Sequence, residues 1–127
     1  MVSIHHIELN VRNLPESLEF YRLLDSFFEE SKLTVSDNSF SWEFGTFYLY
    51  VNQVQSRFAN ASYHRKGVGL DHIAFRVDGI ECVRSIEQFL IRNNIPILYK
   101  ADSYGPKYFA VFCEDPDRFK LEFGADL

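Results

Sequence analysis

His6-Ile7-Glu8-Leu9-Asn10-Val11 and His72-Ile73-Ala74-Phe75-Arg76-Val77 are two versions of one segment, identical at three of six positions and 66 residues apart. The residues downstream of the two copies are also alike. Asn13-x-x-Glu16 and Asp78-x-x-Glu81 both have the form of a capping box, and Pro15 sits in the first turn of the first predicted helix. Beyond those caps, Leu14, Leu18, Tyr21 and Leu24 are spaced for one helix face, as are Ile80, Val83, Ile86 and Leu90. Short β-rich runs come next: Phe27–Val35, 40–44 and 46–52 in the first half, then 97–100, 108–113 and Phe119–Phe123 in the second. The chain therefore reads as βαβββ twice, an α+β arrangement with a first module over 1–54 and a second over 69–127. The join, 54–69, is polar. Its Arg57, His64, Arg65 and Lys66 read as a solvated linker or as a cluster facing an anionic substrate.

The 127 residues are enough for one domain with a real core, and each module alone is too small to close one. Charged residues make up 24% and aromatics 17%, with 13 Phe and 7 Tyr, a composition that excludes intrinsic disorder. The net charge of −5 offers no cationic footprint for nucleic acid or an anionic membrane. Cys82 and Cys113 form no metal-knuckle pair and read as reduced thiols. The first residues lack the pattern of a signal peptide and no run is long enough to span a membrane, so a cytoplasmic protein is expected.

Period-two alternation sorts the side chains of each strand. Ile7, Leu9 and Val11 share one face, with His6, Glu8 and Asn10 opposite; Ile73, Phe75 and Val77 share another, with His72, Ala74 and Arg76 opposite. In the last strand Lys120 and Glu122 oppose Phe119, Leu121 and Phe123. Two imidazoles and a carboxylate are a ligand set for a divalent metal with open positions, although each taken alone reads more readily as an exposed polar residue than as a ligand. The repeat-equivalent placing of His6 and His72 favours the ligand reading. Tyr48, Tyr50 and Asn52 alternate onto the polar side of their strand, where phenols line a pocket or simply pack. Glu8 is a candidate proton acceptor, or a partner for Arg76 or Lys120. Tyr104 and Lys107 flank Gly105-Pro106 in a loop that would cover the site or face solvent.

With these residues in place, the sequence resembles the vicinal oxygen chelate superfamily, the group of glyoxalase I, fosfomycin-resistance proteins, extradiol dioxygenases and bleomycin-binding proteins. The resemblance spans nearly the whole chain. It is carried by the 6–11 segment with Ser17-Leu-Glu-Phe20-Tyr21, by Gly69-Leu70-Asp71-His72-Ile73-Ala74-Phe75, and by Glu114-Asp115-Pro116-Asp117-Arg118-Phe119-Lys120-Leu121-Glu122. It implies two βαβββ modules forming an open, cup-shaped mixed sheet with helices on the outer face. It also implies a divalent ion (Zn, Ni, Mn or Fe) on His6, His72 and Glu122, and a homodimer. The activity implied is lyase or isomerase chemistry on a small molecule chelated through adjacent oxygens, with Glu122 or Glu8 moving the proton and Tyr48, Tyr50, Asn52, Arg76 and Lys107 contacting substrate. The alternative is an antibiotic-binding or antibiotic-modifying protein without glyoxalase activity. Three departures narrow the range. The strand 47–52 has no carboxylate to supply glyoxalase I's fourth ligand, Phe112 stands where extradiol dioxygenases carry Tyr, and Arg118 replaces the usual Gly of the D-P-D-G turn.

Overall fold

The computed structural model describes all 127 residues, which divide into two compact units, Met1–Ser62 and Tyr63–Leu127. The first unit contains β1 (His6–Val11), α1 (Leu14–Asp25), β2 (Ser31–Val35), β3 (Ser39–Phe44) and β4 (Phe47–Gln53), with one 3-10 turn after them at Ser56–Phe58. The second contains β5 (His72–Arg76), α2 (Gly79–Arg92), β6 (Ile97–Ser103), β7 (Tyr108–Glu114) and β8 (Lys120–Asp126). The duplicated βαβββ order expected from the repeat is the order observed. Each unit builds its own open four-stranded mixed sheet, ordered β1-β4-β3-β2 and β5-β8-β7-β6. In each, the opening strand runs parallel to the closing one and the other pairs are antiparallel.

In the first unit the Asn13 side chain accepts from the Glu16 amide at 3.1 Å, satisfying one exposed donor of the first turn. Gln53, at the end of β4, accepts from the Leu14 amide at 2.9 Å and donates to the Arg12 carbonyl at 2.8 Å, which pins the strand-to-helix turn. Ser17, Tyr21 and Leu24 form the buried stripe of α1. Tyr21 meets the rings of Phe40 and Trp42, each 5.7 Å away between centroids, and the Trp42 indole N–H donates to Asp25 at 3.1 Å. The expected strand over Phe27–Val35 begins only at Ser31. Phe27 and Phe28 instead continue the helical turn, their amides reaching the carbonyls of Leu24 and Asp25, and Phe28 lies against Trp42 and Phe44.

In the second unit Val83, Ile86 and Leu90 are the buried residues of α2, which lies against β6, β7 and β8. Its start differs from the capping box expected there. Asp78 is the N-cap residue but its side chain makes no capping bond. Gly79, at φ +85°, turns the chain so tightly that its amide closes on the Val77 carbonyl at 3.2 Å. The turn before β8 is held by Asp115, whose buried carboxylate accepts from the amides of Asp117 and Phe119, both at 2.9 Å. Arg118 takes the left-handed conformation there, φ +69°. The second half of the linker docks on this unit: Arg65 donates to Glu114 and to the Arg118 carbonyl, and Tyr63 packs on Phe119. No helix is long and apolar enough to cross a membrane.

Two positions should tolerate or reward replacement. Ser17 buries its hydroxyl on the sheet-facing stripe without a hydrogen-bond partner. Ser17→Ala is therefore expected to be neutral or stabilising, by up to about 1 kcal/mol in urea denaturation, because it removes a desolvated donor and costs no bond. Arg118→Gly should also stabilise, by up to about 1 kcal/mol, since it relieves the left-handed penalty. The exposed pair lost with it, Arg118 to Glu114 at 3.8 Å, contributes little.

Candidate metal and substrate site

The polar face of the second sheet is set by the pairing of β5, β8 and β7. His72 lies opposite Lys120, Ala74 opposite Glu122, and Glu122 in turn opposite Phe112. The His72 Nε2 and a Glu122 carboxylate oxygen are 2.8 Å apart, and the Glu122 side chain is only 8% exposed. On the other side of the imidazole, Nδ1 lies 2.7 Å from Asp71, and the same Asp71 oxygen is 3.1 Å from the Lys120 ammonium. The hydrogen bond from His72, then that from Lys120, holds the Asp71 carboxyl down to about 2. Asp71 is thus an ionised acceptor, and His72 Nδ1 carries the hydrogen that faces it. Nε2 faces the Glu122 carboxylate at hydrogen-bonding distance, so the imidazole is held between two carboxylates.

Lys120 is itself buried, with its ammonium 5.7 Å from the Phe112 ring centroid and 5.9 Å from that of Tyr99. Phe112 also meets Tyr99, Tyr104 and His72, which gives this face an aromatic floor. Tyr108 completes it: its hydroxyl bonds Glu122, and burial, then that bond, push the phenol up to about 12. Sequence reasoning assigned no role in the site to Tyr108, Phe112 or Tyr99. Asp71 and Lys120 were visible as the residue before one proposed ligand and the residue two before another on a period-two strand.

On the polar face of the first sheet, β1 and β4 place His6 opposite Tyr48, Glu8 opposite Tyr50, and Asn10 opposite Asn52. Glu8 accepts from the Asn52 amide at 3.2 Å and lies 3.6 Å from His6 Nε2. His6 Nδ1 is 2.8 Å from His5 Nδ1, His5 stacks on Tyr48, and Tyr50 stands edge-on to His6. Glu43 on β3, opposite Tyr48, raises the phenol of Tyr48 through its negative charge. The partners considered for Glu8 are engaged elsewhere: Arg76 pairs with Asp126, and Lys120 with Asp71. Lys107 is exposed at the β6–β7 turn, where its carbonyl accepts from Leu127.

Within either unit, no three His, Cys, Asp or Glu side chains gather in a group able to hold a metal. The second unit brings two of the three expected ligands together, His72 and Glu122, and the first presents His6 on its own polar face. The His72–Glu122 pair suits a divalent ion. Both are donors of the kind divalent ions take, and Asp71 bonds the far nitrogen as carboxylates do behind metal-ligating histidines.

The sequence profile of the Glyoxalase/Bleomycin resistance protein/Dioxygenase superfamily matches residues 3–123. The chain belongs to that superfamily. Among its relatives, the uncharacterized protein YqjT of Bacillus subtilis (strain 168) is 34% identical over 126 residues, covering 96% of this chain and 98% of YqjT. A crystal structure of a candidate glyoxalase from Bacillus halodurans superposes with a TM-score of 0.85 at 38% identity, covering 96% of this chain and 94% of that one. Lactoylglutathione lyase from Agrobacterium tumefaciens shares the fold, with a TM-score of 0.73 at 17% identity over 97% of this chain and 92% of that one. In this superfamily member the Asp71 carboxyl should titrate near 2 by carboxyl-carbon NMR. Lys120→Met should raise that value, because a cation that favours the ionised form is gone.

Proposed function

We propose that this chain is a glyoxalase-like, divalent-metal-dependent enzyme acting as a lyase or isomerase on a small substrate that binds through adjacent oxygens. The observation that carries the reading is the 2.8 Å approach of His72 Nε2 to the buried Glu122 carboxylate, with Asp71 behind the imidazole. The proposed ligands are His72, Glu122 and His6, the last on the ground that it opens the first module as His72 opens the second. A divalent ion there would supply Lewis-acid stabilisation of negative charge on the substrate oxygens. The chain's own residues do the rest. Glu8, oriented by Asn52, takes the proton next to the carbonyl. Tyr48, Tyr50 and Asn52 contact the substrate, as Arg76 and Lys107 do at the margins. The family resemblance supports a homodimer, and two free cysteines suit a reducing, cytoplasmic setting.

The rings of Phe112, Tyr99 and Tyr104 favour a second reading, a protein that holds an antibiotic without turnover. Elemental analysis and calorimetric metal titration separate the two. The enzyme reading expects one divalent ion per site, with His72→Ala, Glu122→Ala and His6→Ala each lowering affinity by at least about 100-fold, beyond what outer-shell changes do. It also expects the loaded protein to turn over a hemithioacetal, an epoxide antibiotic or a methylmalonyl-type thioester. A protein that takes up no metal, and whose ligand binding survives both chelator and His72→Ala, is a sequestering one.

A further inference from the structure

Gly124 is an oddity that the proposed site does not use. It sits inside β8, two residues beyond Glu122 on the same side of the strand, and is fully enclosed. Glycine weakens a strand interior, and where it persists another group commonly approaches its backbone. Here that group is the phenol of Tyr108: a methyl at position 124 would overlap the Tyr108 ring and hydroxyl outright. Tyr108 starts on β7 opposite Asp126, and to reach Glu122 its side chain must run diagonally along β8 across position 124. The diagonal from Tyr108 to position 124 is an offset of two residues, within reach of an aromatic side chain, and Glu122, two residues further on, extends its own side chain to the hydroxyl.

We propose that Tyr108 is the positioning residue of Glu122, and that Gly124 is the gap that admits it. The inference rests on the reading of Glu122 as a metal ligand. A carboxylate on a single strand can rotate about its side-chain bonds. With the Tyr108 hydroxyl donating to it and His72 on one oxygen, the plane of the carboxyl group is set. Glu122 is thereby held in one orientation, turned toward His72.

The test uses the whole protein, Co2+ as the metal probe, and Tyr63→Phe as the control, since the Tyr63 hydroxyl donates to the Leu70 carbonyl and takes no part in the proposed site. Tyr108→Phe keeps the ring, so thermal stability should show the fold intact. It is expected to weaken Co2+ binding by about 10- to 100-fold and to alter the visible absorption of the bound cobalt, because the ligand geometry changes. Gly124→Ala should do the same through displacement of the phenol, and the double variant should be no worse than the more affected single one. Tyr63→Phe should leave affinity and spectrum unchanged. In the metal-free protein, proton NMR should show a slowly exchanging Tyr108 hydroxyl with a nuclear Overhauser contact to the Glu122 methylenes. Wild-type cobalt affinity and spectrum in Tyr108→Phe overturn the inference, as does a Tyr108 hydroxyl that exchanges as a free phenol does. A wild-type protein that binds no Co2+ overturns the metal reading, and the hydroxyl measurement then decides the Tyr108 contact by itself.

Discussion

Everything in each unit depends on one pairing: the strand that opens the module lies parallel to the strand that closes it, β1 on β4 and β5 on β8. Parallel neighbours cannot be joined by a hairpin, so the chain must cross over, and the crossover carries a helix along one face of the sheet. That face takes the apolar half of every strand. The other half, by period-two alternation, is confined to the opposite face, and it is there that His6, Glu8, His72 and Glu122 appear. The candidate site is thus a by-product of where the helix lies. Moving any one of these residues by a single position along its strand would bury it under α1 or α2.

Much of this was readable in advance because it is local and periodic. The repeat, the two helix stripes and the facing of β1, β5 and β8 come from residues a few positions apart. Phe27 and Phe28 misled because aromatic, apolar composition suits a strand as well as the end of a helix that caps a ring cluster, and only the hydrogen bonds to Leu24 and Asp25 decide between them. Asp78 looked like a capping residue, but the positive φ of Gly79 redirects the turn. The Tyr108–Glu122 contact was out of reach for a different reason. It depends on the register between β7 and β8, a long-range quantity, and its one trace in the sequence is an unexplained glycine.

The electrostatics of the second unit form one connected series: Lys120, Asp71, His72, Glu122, Tyr108. Each carboxylate in it lies between two partners, Asp71 between Lys120 and His72, and Glu122 between His72 and Tyr108. Such a series reinforces itself where water is scarce, since each bond polarises the next. It also explains how a Lys and a Glu are both buried two residues apart on one strand. Asp71 offsets the first, and the second faces an imidazole and a phenol. A change at either end is therefore felt along the whole series.

The docking of Arg65 and Tyr63 on the second unit has a consequence for how the chain can be divided. The linker is not a uniform tether: its latter part is anchored to Glu114, the Arg118 carbonyl and Phe119, whereas residues 60–62 are exposed and outside any regular element. The natural point of scission is therefore just before Tyr63. A nick there would sever the backbone while leaving each module with all of its own strands, its helix and its staples, the prerequisite for splitting the protein into complementing halves or for rejoining its ends in a new order.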